Sequence, residues 1–172
     1  MDSTHNNTIL ILALAAAAGA LTYIVMKHKE NTSTTPAGAG LPVPTPPLQG
    51  RVTSPFGRRS APVAGASTYH NGVDLAAPIG TQVRAPWDGT IAKTYYNEKG
   101  GYQMLVDHPG GYRTGYAHLS QFVARAGDRV AQGDLIALTG NTGIGTGPHL
   151  HFTLTDPAGN KIDPQTIFTF NA

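Results

Sequence analysis

The apolar positions of this chain follow three successive patterns. Between Ile9 and Met26 the sequence ILILALAAAAGALTYIVM carries no charged residue. Wound as a helix, its 18 residues reach about 27 Å at roughly 1.5 Å per residue, close to the hydrocarbon thickness of a bilayer. The run predicts a transmembrane helix over 9–26 behind a short tail, 1–8, with the lipid bilayer as its partner. Two other readings compete. One is a cleaved signal peptide, since Ala15–Ala20 offers small residues at a cleavage-like position; the other is a buried helix of a soluble fold. No Lys or Arg precedes the run, and apolar residues continue through Leu21, Tyr23, Ile24 and Val25. Both features favour a retained anchor.

Periodicity then disappears. Residues 27–49 form a linker whose Asn31–Gln49 stretch, NTSTTPAGAGLPVPTPPLQ, is rich in Thr, Pro, Gly and Ala and short of large side chains. It has too little to bury to build a core, and its proline-rich end favours an extended, semi-rigid spacer of about 3.1 Å per residue. From Gly50 onward, residues 50–172, short β-rich runs alternate with turns. The runs are Thr90–Tyr96, Tyr102–Asp107, Tyr112–Ala117, Leu135–Thr139 and Leu150–Leu154. Turn signals lie at Asn97–Gly101, Pro109–Gly111, Gly133–Asp134 and Asn141–Pro148. Spacing this close leaves no room for helical crossovers, so the expected fold is all-β with a mainly antiparallel sheet. Only Ser120–Ala124 suggests a short helical turn.

Composition narrows the chemistry. Charged residues make up 13% of the 172, against 21 glycines and 13 prolines, which suits a turn-rich β protein. The net charge of +2 is scattered, with no Lys/Arg block of the kind nucleic acid requires. A modest positive balance is compatible with an anionic cell-wall polymer. Cysteine is absent, which rules out disulfides, thiolate metal sites and cysteine-linked lipids. Any metal must be held by His, Asp, Glu or backbone oxygen.

Four of the seven histidines fall where chemistry is expected. His70 and Asp74 stand four apart, and in a strand such positions share a face, where an imidazole and a carboxylate can hold one divalent ion. The same pair also fits an ordinary surface. His149 and His151 share a face of their strand while Leu150 and Phe152 point into the core; two solvated surface histidines is the competing reading. Glycines at 143, 145 and 147 with Pro148 make the preceding loop tight. His118 ends the run Tyr112–Ala117 and by itself reads as a capping or surface residue. His108, in the turn Asp107–Gly110, reads as structural, and His5 and His28 flank the anchor.

Taken together, His70-x-x-x-Asp74, Tyr116-Ala117-His118-Leu119 and Gly147-Pro148-His149-Leu150-His151-Phe152 resemble the lysostaphin-like (LytM-type) zinc endopeptidases, which cut peptidoglycan. The likeness extends to Val52–Arg59, Asp74–Pro78, Gly80–Thr81, Gly127–Gly140 and Asp163–Pro164, so it covers approximately 50–168. The resemblance implies one zinc ion per chain, held by His70, Asp74 and His151, with His118 and His149 acting beside it as proton-transfer groups. Three protein ligands leave a position open, as catalytic rather than structural zinc requires. No H-E-x-x-H occurs, so a histidine must replace the glutamate base of many zinc proteases. Some members use a tyrosine to steady the transition state; Tyr69 and Tyr116 are nearby candidates, and neither is assigned.

The implied substrate is peptidoglycan, cut at stem-peptide cross-links involving D-alanine or at glycine cross-bridges. The flanking loops Ser60–Tyr69 and Asn141–Gly147 carry no deciding residue, and the shortness of the first favours an open groove and D-alanine cross-links. A catalytically inactive relative that binds the wall or regulates another hydrolase is the alternative, opposed by the presence of all five polar positions. A lipoyl- or biotinyl-type carrier hairpin over Gly127–Thr139 fails because no lysine lies between Lys99 and Lys161. The expected location is a single-pass membrane protein acting on the wall. Lys27 and Lys29 place the domain side in the cytoplasm by the positive-inside rule, which a phage virion protein with an internal viral membrane would accommodate and a bacterial envelope enzyme would not.

Overall fold

The computed structural model describes residues 42–171, and the helix expected over 9–26 lies outside them. Among the described residues no helix is long and apolar enough to cross a membrane. The strands are β1 (Val52–Ser54), β2 (Gly57–Arg58), β3 (Tyr69–His70), β4 (Val73–Ala76), β5 (Gln82–Arg84), β6 (Gly89–Asn97), β7 (Gly101–Asp107), β8 (Arg113–Phe122), β9 (Arg129–Val130), β10 (Leu135–Thr139), β11 (His149–Thr155) and β12 (Lys161–Ile162). Ten of them form one sheet with the main order β1-β4-β11-β8-β7-β6-β9; β10 joins β5 and β8, β12 joins β11, and β2 pairs with β3 separately. The pairings are antiparallel, as the close strand spacing predicts.

Alternation of side chains decides which face is core. In β11, Leu150, Phe152 and Leu154 are fully buried, and in β4 so are Val73 and Leu75. Each such side chain contributes about 1.5–3 kcal/mol when fully buried. Phe152 meets Tyr116 and Phe168, whose ring centroids lie 5.5 and 5.2 Å away, and Trp87 packs on Phe168 at 5.1 Å. This apolar face fixes the register of β4, β11 and β8, because a slip by one residue would turn every core side chain outward. The same register puts His151 opposite Asp74 and Ala117, with His149 opposite Ala76.

Two expectations need correction. Ser120–Ala124 is not a helical turn: Ser120–Phe122 continues β8, where Gln121 and Phe122 pair with Leu138 and Ala137 of β10. A ladder to a distant strand supplies the backbone partners that a local turn would otherwise provide. The described helical turns are instead 3-10 turns at Pro109–Gly111 and Pro164–Thr166, the second capped by Asp163, whose side chain accepts from the Gln165 N–H. The linker also ends earlier than its composition suggests. Residues 42–49 lie along the domain: Leu48 is buried, the Trp87 indole donates to the Pro42 carbonyl (2.8 Å), and Thr45 N–H and Arg84 N–H bond to Pro86 and Pro47 carbonyls.

Candidate metal centre

The strands place three donor atoms at one point. Asp74 and His151 are cross-strand neighbours on the face of β4 and β11 opposite the core. His70 reaches them differently from the single shared strand face expected for H-x-x-x-D. It ends β3, and the chain turns at Asn71–Gly72 before β4 begins. Gly72 permits that turn, since a Cβ there would sit 2.3 Å from the Phe152 carbonyl oxygen. His70 Nε2 lies 3.1 Å from Asp74 Oδ1 and 2.9 Å from His151 Nδ1, and His151 Nδ1 lies 2.8 Å from Asp74 Oδ1.

Hydrogen bonds behind each ring fix its tautomer. A carbonyl oxygen only accepts, so His70 Nδ1–H donates to the Pro55 carbonyl (2.8 Å) and leaves Nε2 as a lone pair. His151 Nε2–H donates to Asn71 Oδ1 (3.1 Å), leaving Nδ1 as a lone pair. Two imidazole lone pairs and one carboxylate oxygen therefore face each other at 2.8–3.1 Å. Such an arrangement is repulsive unless a proton or a cation stands among them. Donors about 2.0–2.1 Å from a shared tetrahedral zinc lie about 3.3 Å apart, close to the spacing found. The three residues are thus a fitting donor set for a divalent ion, and outward-facing imidazole N–H groups on carbonyl partners are what metal-ligating histidines ordinarily show.

Electrostatics agree. Burial alone would raise the Asp74 carboxyl, but a proton standing in for the cation between it and His151 or His70 brings hydrogen bonds and charge that outweigh burial and hold the group well below the usual carboxylate range. Burial pushes the His151 ring down, against the pull of Asp74. Arg59 Nη1 donates to Asp74 Oδ2 at 3.1 Å and to Ser54 Oγ.

Two further imidazoles stand beside this cluster. His118 and His149 lie with ring centroids 4.4 Å apart, and His118 is 6.2 Å from His151. His149 Nδ1–H donates to the Gly147 carbonyl and His118 Nδ1–H to the Thr142 carbonyl, both at 2.7 Å. Each therefore keeps Nε2 as a lone pair. His149 Nε2 stays 3.9 Å from Asp74 Oδ1, outside the tight triad. His118 is 8% exposed rather than a surface group, and burial lowers its pKa to about 4, opposed by its bond to Thr142. Its φ of 60° is the one positive value among non-glycine residues described. It sits at a bulge of β8, where the pairing to β7 shifts between Tyr102↔Leu119 and Met104↔Tyr116. Bulges of this kind re-aim a side chain. Thr142 is the brace: its hydroxyl donates to the Leu119 carbonyl and accepts from Tyr102 N–H.

The five residues line a groove of about 850 Å³, walled by residues of the Ser60–Tyr69 loop, by Ile144–Pro148 and by Asn97, Lys99 and Gly100. Of the two tyrosine candidates, Tyr69 is exposed and lines this groove, whereas Tyr116 is turned into the core, its hydroxyl bonded to Thr114. Burial raises the Tyr116 phenol. His108 is structural as expected, buried between the Asp88 carbonyl and Thr114. Sequence reasoning gave no role to Arg59, Asn71 or Thr142. The first two lie inside the motif runs Ser54–Arg59 and His70–Asp74, but the carbonyls of Pro55, Thr142 and Gly147 leave no sequence signal.

Comparisons with known proteins point the same way. The profile of peptidase family M23 matches residues 68–164. The peptidoglycan DD-endopeptidase ShyC of Vibrio cholerae is 43% identical over 118 residues, 68% of this chain and 27% of the relative. A zinc-containing peptidase from Vibrio cholerae superposes with a TM-score of 0.62 at 36% identity, over 70% of this chain and 37% of that one. The catalytic domain of lysostaphin from Staphylococcus simulans gives 0.61 at 31% identity, over 67% and 90%. This chain spans about a quarter of the length of the curated relatives it matches.

Proposed function

The chain belongs to peptidase family M23, and from that premise we propose that it is a zinc endopeptidase hydrolysing peptide cross-links of bacterial peptidoglycan. The observation that carries this reading is the convergence of His70 Nε2, His151 Nδ1 and Asp74 Oδ1, all as acceptors, on the floor of an open groove. Zinc held there supplies Lewis acidity, acidifying a water and polarising a carbonyl. The chain's own residues do the rest. The groove takes the peptide extended along its floor. His118 and His149 each present a free Nε2, so one accepts a proton from the attacking water as its oxygen bonds to the carbonyl carbon. Protonated, the same pair can hydrogen-bond the oxyanion and return a proton to the departing amine as the C–N bond breaks. The low pKa of His118 keeps it neutral, hence able to accept, throughout the neutral range.

Cross-links involving D-alanine are the favoured substrate, supported by the DD-endopeptidase relatives and by the short Ser60–Tyr69 loop, which leaves the groove open. Ile9–Met26 is read as the membrane anchor and 27–41 as the tether that lets the domain reach the wall, in a bacterial envelope or a virion with an internal membrane. Mass spectrometry of muropeptides tests the activity. Sacculi incubated with the zinc-loaded protein should lose D-alanine cross-linked dimers and gain monomers, and His149→Ala should leave the profile untouched. A wild-type digest identical to the buffer control would end the endopeptidase reading and favour the non-catalytic wall-binding relative.

A further inference from the structure

The two oxygens of Asp74 serve different partners. Oδ1 faces His70 Nε2 and His151 Nδ1, whereas Oδ2 accepts from Arg59 Nη1 at 3.1 Å. We propose that Arg59 is a positioning residue that makes Asp74 a one-oxygen ligand, reserving the remaining place at the metal for water and substrate. This rests on the metal-site reading above. The torsion that turns a carboxylate about its Cβ–Cγ bond is broad and barely restricted by its own rotamers. Something outside the side chain must therefore decide whether one oxygen or two face the cluster. Arg59 is built to do so. Its backbone N–H bonds to the Thr68 carbonyl at 2.9 Å, closing the β2–β3 hairpin, and its Nη1 also donates to Ser54 Oγ. The guanidinium thus comes to Asp74 already oriented, and a charge-assisted bond holds Oδ2 away from the imidazoles. Ser54 Oγ lies 3.4 Å from His70 Nδ1, so one arginine braces the surroundings of two of the three ligands. With both oxygens free to turn inward, the carboxylate would take a second position at the ion, a change zinc accommodates by expanding from four to five ligands.

Cobalt(II) reads this directly, because its visible absorption weakens and shifts when coordination rises above four. In the full-length chain, Arg59→Gln should still take up one cobalt, but with a weaker, shifted visible band. The zinc form should lose about 10–100-fold in kcat, the usual cost of removing an outer partner of a metal ligand, with KM unchanged. Arg59→Lys, which keeps a cation in the same wall, should fall between the two in band and in kcat. An Arg59→Gln spectrum identical to wild type would overturn the proposal. So would a raised KM with the band unchanged, since Arg59 would then be a substrate contact. If the glutamine variant fails to fold, the lysine variant decides: a wild-type band in it overturns the proposal. Failure of the metal-site reading looks different, because the wild-type chain itself would then bind no cobalt and both claims would fall together.

Discussion

Stripping the cation should weaken the fold, and which histidine abolishes that effect separates ligand from proton carrier. His70 Nε2, His151 Nδ1 and Asp74 Oδ1 face one another at 2.8–3.1 Å with no donor of their own between them. Each polar atom left unsatisfied in a buried site costs about 1–3 kcal/mol, so three of them place the effect at roughly 3–9 kcal/mol. Mass action gives a compatible figure: free zinc at a thousand times its Kd stabilises the folded state by about 4.1 kcal/mol. For a domain of this size that is a shift of roughly 12–20 °C in Tm. Calorimetry with and without chelator measures it. Wild type and His149→Ala should both show the shift, because His149 Nε2 stands 3.9 Å from Asp74 Oδ1 and its ring is oriented by Gly147 rather than by the cluster. His151→Ala should show almost none. A lost shift in His149→Ala, or a full one in His151→Ala, would refute the division of roles.

Backbone strain at His118 gives an unusual ranking of variants. An L side chain in the left-handed region costs about 1–2 kcal/mol, and glycine's extra unfolded-state freedom takes back about 0.5–1 kcal/mol. At φ 60° His118→Gly should therefore melt a few degrees above His118→Ala, both inactive on sacculi; equal or reversed melting would show that the bulge carries no such strain. At His108, burial depresses the ring below its ordinary 6.5, against the pull of the Asp88 carbonyl. A histidine with a folded pKa below its unfolded one stabilises fully above the unfolded value, and that stability is lost as pH falls through and below 6.5, because the unfolded chain takes the proton first. Denaturant unfolding of His108→Asn should start from a lower stability but lose less between pH 7 and pH 5 than wild type does; parallel curves would refute the assignment.

Much of this fold was legible because its strands alternate. Thr90–Tyr96, Tyr102–Asp107 and Leu150–Leu154 were readable within a residue or two of β6, β7 and β11, and period two alone put His149 and His151 on one face. The same rule misread His70 and Asp74, which converge from two short strands rather than along one. Their meeting depends on Gly72 passing close under the Phe152 carbonyl, a tertiary constraint that no local pattern encodes. His118 was read as a strand end because its run, Tyr112–Ala117, looked complete; the strand continues past it because Leu119 pairs with Tyr102 of β7 and β10 arrives to pair with Gln121 and Phe122. Prolines marked 42–49 as spacer, while one residue, Leu48, had enough apolar surface to bind that segment to the domain.

What local patterns miss most is the way backbone carbonyls orient the histidines. Pro55, Thr142 and Gly147 each take an N–H from one ring, and Asn71 serves the fourth from its side chain. All four rings consequently face the groove with a lone pair, so tautomer does not distinguish ligand from base. Distance does. Two of the lone pairs stand within 3.1 Å of Asp74 Oδ1, near enough to share one ion with it, whereas His149 Nε2 stands at 3.9 Å and His118 is displaced by its bulge. The register of β11 against β4 thus brings His151 against Asp74, where the proposed function makes it a ligand, and leaves its neighbour two residues earlier for the proposed proton transfer. A loop rearrangement that carried Gly147 away would release the His149 ring without touching the triad, so the half of this site proposed to handle protons is the part that sequence change can tune independently.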